Sequence, residues 1–293
     1  MEVATLNNTL LKIRESYSDF SLLDQKIAAY ILENQNQIIQ ISIKDIASHC
    51  NTSQAAIVRF CKLLGLTGFK ELKYELAADV LNSQRSKSEH LTFSDISKSD
   101  GIVSTVETIV ANSIQSIAET KKLIDFEKLE YTINLIANAP RVDFYGVGAS
   151  GLVALDAQQK FIRIGKFCNA HSDPHIQITM AANLNPGDVA VAISYSGNTK
   201  DVWETVAAAK QAGAHVIAVT RYGTNNPLEA LADITLYTTS PEMSIRSGST
   251  SSRISQLALI DILFIGMASL NPDEYNPKLE RTYNLANKKK LNE

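Results

Sequence analysis

The sequence predicts two domains of different class. Residues 1–81 read as an all-α domain, and residues 102–293 as an α/β domain with a five-stranded parallel sheet flanked by helices, doubly wound in the flavodoxin-like manner. Three observations predict this. Helical spacing dominates before Asn82, strand–helix alternation dominates after Arg141, and between the domains "NSQRSKSEHLTFSDISKSD" is rich in Ser, Lys and Asp. Such a stretch buries too little apolar surface to offset the entropy of ordering, so residues 82–101 are assigned as a linker.

In the first domain, Ile43, Ile46 and Ala47 give one short apolar face, and "CNTS" reads as a tight turn. Ser53 is a suitable N-cap for the next helix. That helix places Ala56, Ile57, Phe60 and Leu64 inward, presents Gln54, Ala55, Arg59 and Lys62 outward, and ends at Gly65. Two short helices joined by such a turn form a helix-turn-helix, whose second helix enters the DNA major groove by its N-terminal residues. Gln54 suits adenine and Arg59 suits guanine through paired hydrogen bonds. Lys62, Lys70 and Lys73 are placed for phosphate contacts, and between Arg59 and Lys73 only Glu71 opposes them. A plain three-helix bundle contains the same turn, so the pattern alone leaves both readings open.

After the linker, Val103, Val106, Val110, Ile114 and Ile117 recur at helical spacing, and a second helix is expected over 126–137. Strands are expected at 141–148, 166–171, 188–194, 215–220 and 233–238 with helices between them, one at 152–165. A long helix at 251–270 closes the domain, and "NKKKLNE" reads as a solvated end. In such sheets ligands sit beyond the carboxyl ends of strands, where the strand order reverses.

Two loops have that position. "GVGASG" (146–151) and "SYSGNT" (194–199) each follow a strand and open a helix. Glycine lets the backbone approach an oxyanion, and a helix N-terminus offers unpaired N–H groups. Gly148, Ser150, Ser194, Ser196, Gly197 and Thr199 are therefore the candidate phosphate contacts; two tight strand–helix turns are the bland alternative. A dinucleotide fold would place an acid at the end of the second strand, but Asp173 lies beyond it, and the hydroxyl density favours a compact phosphate. No cofactor is expected. His171 and His175 in "HSDPH" are interrupted by Asp-Pro, so no metal site is expected; Asp173 reads as a helix cap and His175 as a packing or pocket-wall residue. Glu242 and Arg246 could grip a sugar hydroxyl or amide. From Asp143 to Lys200 the chain contains no glutamate to act as a general base.

Composition bounds the rest. The 293 residues are 45% hydrophobic and 20% charged, with net charge −3, so any polyanion-binding surface is local. Cys50, Cys61 and Cys168 are scattered and odd in number, as expected of packing residues in a reduced, cytoplasmic protein. The N-terminus lacks a secretory pattern, and the apolar run from Leu257, interrupted by Asp261, reads as too short to span a membrane.

With "SIKDIA" and "TSQAAIVRFCKLLGLTGFKELK" at one end and "GVGASG", "DPH", "AISYSGNTKDV" and "SSRISQLALIDILF" at the other, the chain resembles the RpiR family of bacterial transcriptional regulators over roughly residues 8–270. These join a helix-turn-helix domain to a sugar isomerase (SIS) domain. The resemblance implies a phosphosugar effector held by Ser150, Ser194, Ser196 and Thr199, and a recognition helix from Ser53 to Leu64. It also implies a dimer or tetramer bound to an inverted-repeat operator near sugar-catabolic genes. Within the family the chain is most similar to regulators of N-acetylmuramic acid 6-phosphate use, with repression relieved by the sugar as the default. An isomerase- or etherase-type enzyme is the alternative, because SIS domains also serve catalysis.

Overall fold

Side-chain caps and apolar spacing set the helices of the N-terminal unit in the computed structural model, which describes residues 9–85, 101–223, 226–241 and 249–288. The helices are α1 (Thr9–Glu15), α2 (Leu22–Glu33), α3 (Gln35–Ile38), α4 (Ile43–His49), α5 (Gln54–Leu63) and α6 (Phe69–Arg85). Ser42 and Asp45 form a reciprocal capping box on α4, and Ser53 accepts from Ala56 N at 3.2 Å to start α5. The turn between them closes through Thr52 N to Ala47 O at 2.8 Å. Inside, Ile57, Phe60, Ile46 and Leu72 are fully buried, and Phe20 meets Phe60 edge-on with ring centroids 5.3 Å apart. Burying a side chain of this size contributes about 1.5–3 kcal/mol. Asp79 of α6 accepts from Leu10 N at 2.9 Å, and burial pushes its carboxyl up to about 6.

Helix α7 (Ile102–Lys122) carries the stripe expected from the sequence, but Val103, Val106, Val110, Ile114 and Ile117 are 44–68% exposed. Spacing reveals an apolar face without revealing what covers it.

The second unit continues with α8 (Phe126–Asn138), β1 (Val142–Tyr145), α9 (Ala149–Arg163), β2 (Cys168–Ala170), α10 (Pro174–Ala181), β3 (Val189–Ile193) and α11 (Lys200–Gln211). Then come β4 (His215–Arg221), α12 (Pro227–Leu231), β5 (Ile234–Thr238), α13 (Thr250–Leu270) and α14 (Pro272–Asn287). The sheet has the order β2-β1-β3-β4-β5 with every pair parallel, as the sequence predicts. Both faces are covered, so its strands are near-continuous apolar runs. Val191, Ile217 and Phe144 pack toward α8, α9 and α13, while Ala190, Val216 and Tyr145 pack with Val202, Val206 and Leu228 of α11 and α12.

Three details differ from the sequence reading. Helix α6 continues to Arg85, four residues into the stretch read as linker, whose residues 86–100 lie outside those described. Helix α14 occupies 272–287, a stretch to which the sequence reading assigned no element, and most of "NKKKLNE" lies outside the described residues; the helix's apolar residues are sparse and Pro277 lies inside it, though Tyr275 is buried. The apolar run from Leu257 belongs to α13, whose 21 residues make it long and apolar enough by composition to cross a membrane. Its Leu259, Ile260, Leu263 and Met267 are instead buried in the sheet's helical layer, beside buried Ser252, Ser255 and Gln256. All three cysteines are free and buried, and burial pushes Cys61 up to about 11 and Cys168 up to about 12, so neither thiol ionises near neutral pH.

Candidate functional site: two hydroxyl loops and a recognition helix

The strand order reverses between β1 and β3, which lie side by side with Tyr145 opposite Ala192. The chain leaves β1 into Gly146–Ser150 and leaves β3 into Ser194–Thr199, so the two candidate loops start from adjacent strand ends. This is where ligands settle in doubly wound sheets.

In the first loop Gly148 is the N-cap of α9, with φ 61° and ψ −129°, a region nearly closed to other residues. That conformation starts α9 at Ala149, three residues earlier than expected, and puts Ser150 in its first turn, where backbone N–H groups are unpaired. The loop is pinned from α10. Gln177, buried, accepts from Gly146 N at 3.2 Å through Oε1, and its Nε2 donates to Gly146 O at 2.8 Å and His171 O at 2.7 Å. Ser150 Oγ donates to Gln256 Oε1 of α13 at 3.4 Å.

In the second loop Ser194 is buried and shares a hydrogen bond of 3.1 Å with Thr199, while Ser196 Oγ accepts from Asn198 N at 3.3 Å. Gly197 has φ 65°, and a Cβ there would overlap the Asn226 side chain. Asn226 is held in turn by its donation to Thr220 Oγ1 at 2.8 Å and by capping α12. Thr199 occupies the N-cap of α11 without a side-chain capping bond, so this helix also presents uncapped N–H groups. A cavity of about 220 Å³ on the loop's flank is lined by Gly197, Asn198, Lys200, Trp203 and Pro227.

The four acids between Asp143 and Lys200 all have structural partners, while Asp201, in the first turn of α11 just after the second loop, is exposed. Asp143 is fully buried and accepts two bonds from Arg141, at 3.0 and 2.6 Å, one from Tyr145 Oη at 3.0 Å and one from Asn169 Nδ2 at 2.9 Å. Asp156 pairs with Lys160 at 2.6 Å, and Asp188 accepts from Asn185 N at 2.8 Å. Asp173 caps α10 by accepting from His175 N at 2.8 Å, while His171 and His175 are exposed. Glu242 and Arg246 lie outside the described residues.

On the helix-turn-helix, Ser53, Gln54, Ala55, Arg59, Lys62 and Lys70 are all exposed. Lys73 differs: its Nζ donates to Ile41 O at 3.1 Å and sits 5.9 Å from the Phe69 ring centre, so it ties α6 to the segment before α4. Glu71, the one acid in the patch, accepts from Thr67 N and Oγ1, both at 2.6 Å, and these bonds hold its carboxyl below the usual range. Exposed Lys44 at the start of α4 adds a positive charge that the sequence reading passed over.

Comparison with known proteins agrees with this division. Residues 7–83 match the helix-turn-helix domain of the rpiR family, and residues 135–266 match the SIS domain. The chain is 41% identical over 287 residues to an uncharacterized HTH-type transcriptional regulator of Caldanaerobacter subterraneus subsp. tengcongensis, covering 98% of this chain and all (100%) of that one. It is 40% identical over 247 residues to the uncharacterized HTH-type transcriptional regulator YbbH of Bacillus subtilis, covering 84% of this chain and 85% of the other. Among solved structures, the Vibrio vulnificus NanR protein complexed with ManNAc-6P aligns with TM-score 0.61 and 27% identity, covering 97% of this chain and 100% of that one. The sugar isomerase domain of an RpiR transcription factor from Sphaerobacter thermophilus shares the fold, with TM-score 0.54 and 21% identity over 61% of this chain and 98% of that one. Because the likeness runs through both domains and nearly end to end, the chain belongs to the rpiR family: it is a helix-turn-helix transcriptional regulator with a C-terminal SIS domain.

Proposed function

We propose that the protein is a cytoplasmic repressor of sugar or amino-sugar catabolic genes whose SIS domain senses a sugar 6-phosphate. N-acetylmuramic acid 6-phosphate is the effector we favour. In this reading Gly148, Ser150, Ser194, Ser196, Gly197 and Thr199 seat the phosphate, and Ser53, Gln54, Ala55, Arg59, Lys62 and Lys70 face the operator. Lys73 acts on DNA only through the segment it ties down. The NanR relative, complexed with ManNAc-6P, supports an amino-sugar phosphate as the effector class.

The observation that carries sensing over turnover is the state of the acids. Asp143, Asp156, Asp173 and Asp188 are the only carboxylates from Asp143 to Lys200, and each is engaged in a cap, an ion pair or a buried network. A general base must reach the proton it removes. The enzyme reading keeps one support, the SIS fold itself.

A gel shift on the DNA upstream of the protein's own gene, with a panel of hexose and amino-sugar 6-phosphates, tests the whole reading. The expected result is a specific complex dissolved by one phosphosugar, which is recovered unchanged. A complex insensitive to every sugar in the panel overturns the sensor assignment, and isomerised or cleaved sugar overturns the regulator reading in favour of an enzyme.

Self-association has the outer face of α7 as its support. From Ile102 to Ala118 Glu107 is the only charged residue, and the exposed valines and isoleucines recur at helical spacing. Such a stripe is stable in water when it packs against a like stripe, as in a coiled coil. The double variant V106E/V110E is expected to reduce the mass measured by light scattering to that of a smaller assembly. An unchanged mass would place the subunit contact elsewhere.

A further inference from the structure

We propose that Gln256 is a positioning residue for the phosphate seat: its side-chain amide turns over when an oxyanion enters, donates to Ser150 Oγ and so aims the Ser150 hydroxyl proton at the oxyanion. The inference rests on reading the Gly148–Ser150 turn as part of that seat.

Gln256 is 1% exposed, and its Nε2 is buried without a hydrogen-bond partner. Its Oε1 takes the Ser150 proton across a long 3.4 Å bond. Leaving a buried donor unmade is costly, and such orphans are rare enough in folded proteins to call for a cause. Nearby hydroxyls do not share the problem, since Ser255 Oγ donates to Ser252 O at 2.9 Å.

The arrangement also misdirects Ser150. A hydroxyl carries one proton, and here it is given to Gln256 Oε1 instead of being available to an anion. The two ends of a glutamine amide are nearly the same size, and the torsion that exchanges them is soft. A half-turn places Nε2 where Oε1 was. Nε2 then donates to Ser150 Oγ, Oε1 moves to the place where Nε2 had no partner, and the serine proton is free for a charge-assisted bond to an oxyanion. With an anion bound, the serine proton exchanges the long bond to Oε1 for a charged acceptor.

Gln177 is the contrast within the same loop. Both ends of its amide are bonded, in three hydrogen bonds at 2.7–3.2 Å, so a turnover would break all of them. Gln177 is a fixed clamp, and Gln256 has a free end.

The test is binding of inorganic phosphate and of N-acetylmuramic acid 6-phosphate to the full chain by titration calorimetry. Wild type is compared with Q256M, S150A and S150A/Q256M, with Q256L measured in parallel in case methionine is not accommodated. Q256M and S150A are each expected to weaken phosphate binding about tenfold, the usual scale for one bond to a charged group. The double variant is expected to bind no more weakly than S150A, because Gln256 acts through the serine. Q256E, which can only accept the serine proton, is expected to weaken binding more than Q256M. Losses that multiply in the double variant overturn the proposal and leave Gln256 a packing residue. Wild-type phosphate binding by S150A overturns it too, while leaving the second loop as the seat. If the wild-type chain binds neither probe, the phosphate seat itself is lost, and this proposal with it.

Discussion

Arg59→Ala removes sequence-specific operator binding while leaving weak, salt-sensitive attachment to DNA. Arg59 is exposed on α5, nearly two turns beyond the Ser53 cap, on the face shared with Gln54, Ala55 and Lys62. A bidentate arginine–guanine pair discriminates against the wrong base by about 1–3 kcal/mol. As the dimer on an inverted repeat proposed for it, the protein would lose that twice, so specific affinity is expected to fall roughly 30-fold to 10⁴-fold. Non-specific affinity, set by counterion release, changes little. Lys70→Ala is the control, because a phosphate contact behaves in the opposite way: affinity falls on all sequences and the salt slope drops by about one. Gel shifts on operator and scrambled DNA at several salt concentrations separate the two. If Arg59→Ala lowers affinity equally on both DNAs and reduces the salt slope, Arg59 contacts phosphate and the reading face lies elsewhere on α5.

What could be read from the sequence follows from how far apart the determinants lie. The Ser53 cap acts on Ala56 three residues away, and the apolar strand runs and Gly-Ser turns are likewise contained in single short windows. Both candidate loops and the parallel order were accordingly legible. Residues that position the site were not. Gln177 reaches Gly146 across 31 residues and Gln256 reaches Ser150 across 106, and nothing in the local pattern of either glutamine marks it. Lys73 read as a free cation because its carbonyl partner, Ile41, lies 32 residues earlier. The start of α9 was misplaced because a glycine with φ 61° lets the helix begin inside what looks like a loop. Glu242 stays where the sequence left it, a candidate outside the described residues.

Ser196→Ala combined with Thr199→Ala abolishes the response to phosphosugar and leaves operator binding in place. Both side chains are only partly buried, and the bonds they make are light: Ser196 accepts from Asn198 N, and Thr199 shares a proton with Ser194. Removing them therefore disturbs little of the core, whereas Ser194, buried at the end of β3, is a poorer choice. Each hydroxyl bonded to a doubly charged phosphate contributes about 1.5–3 kcal/mol, so losing two weakens the sugar phosphate roughly 10²-fold to 10⁴-fold. An effector acts only through its difference in affinity for the DNA-competent and DNA-incompetent states, so a ligand that no longer binds shifts nothing. The variant then occupies the operator at sugar concentrations that clear the wild-type protein from it. Calorimetry gives the lost affinity, and a gel shift with increasing sugar gives the lost response. A double variant that still releases the operator at the wild-type sugar concentration places the phosphate outside the second loop. A variant that binds the sugar normally yet fails to respond makes these hydroxyls part of the transmission from sugar to DNA, with the seat elsewhere.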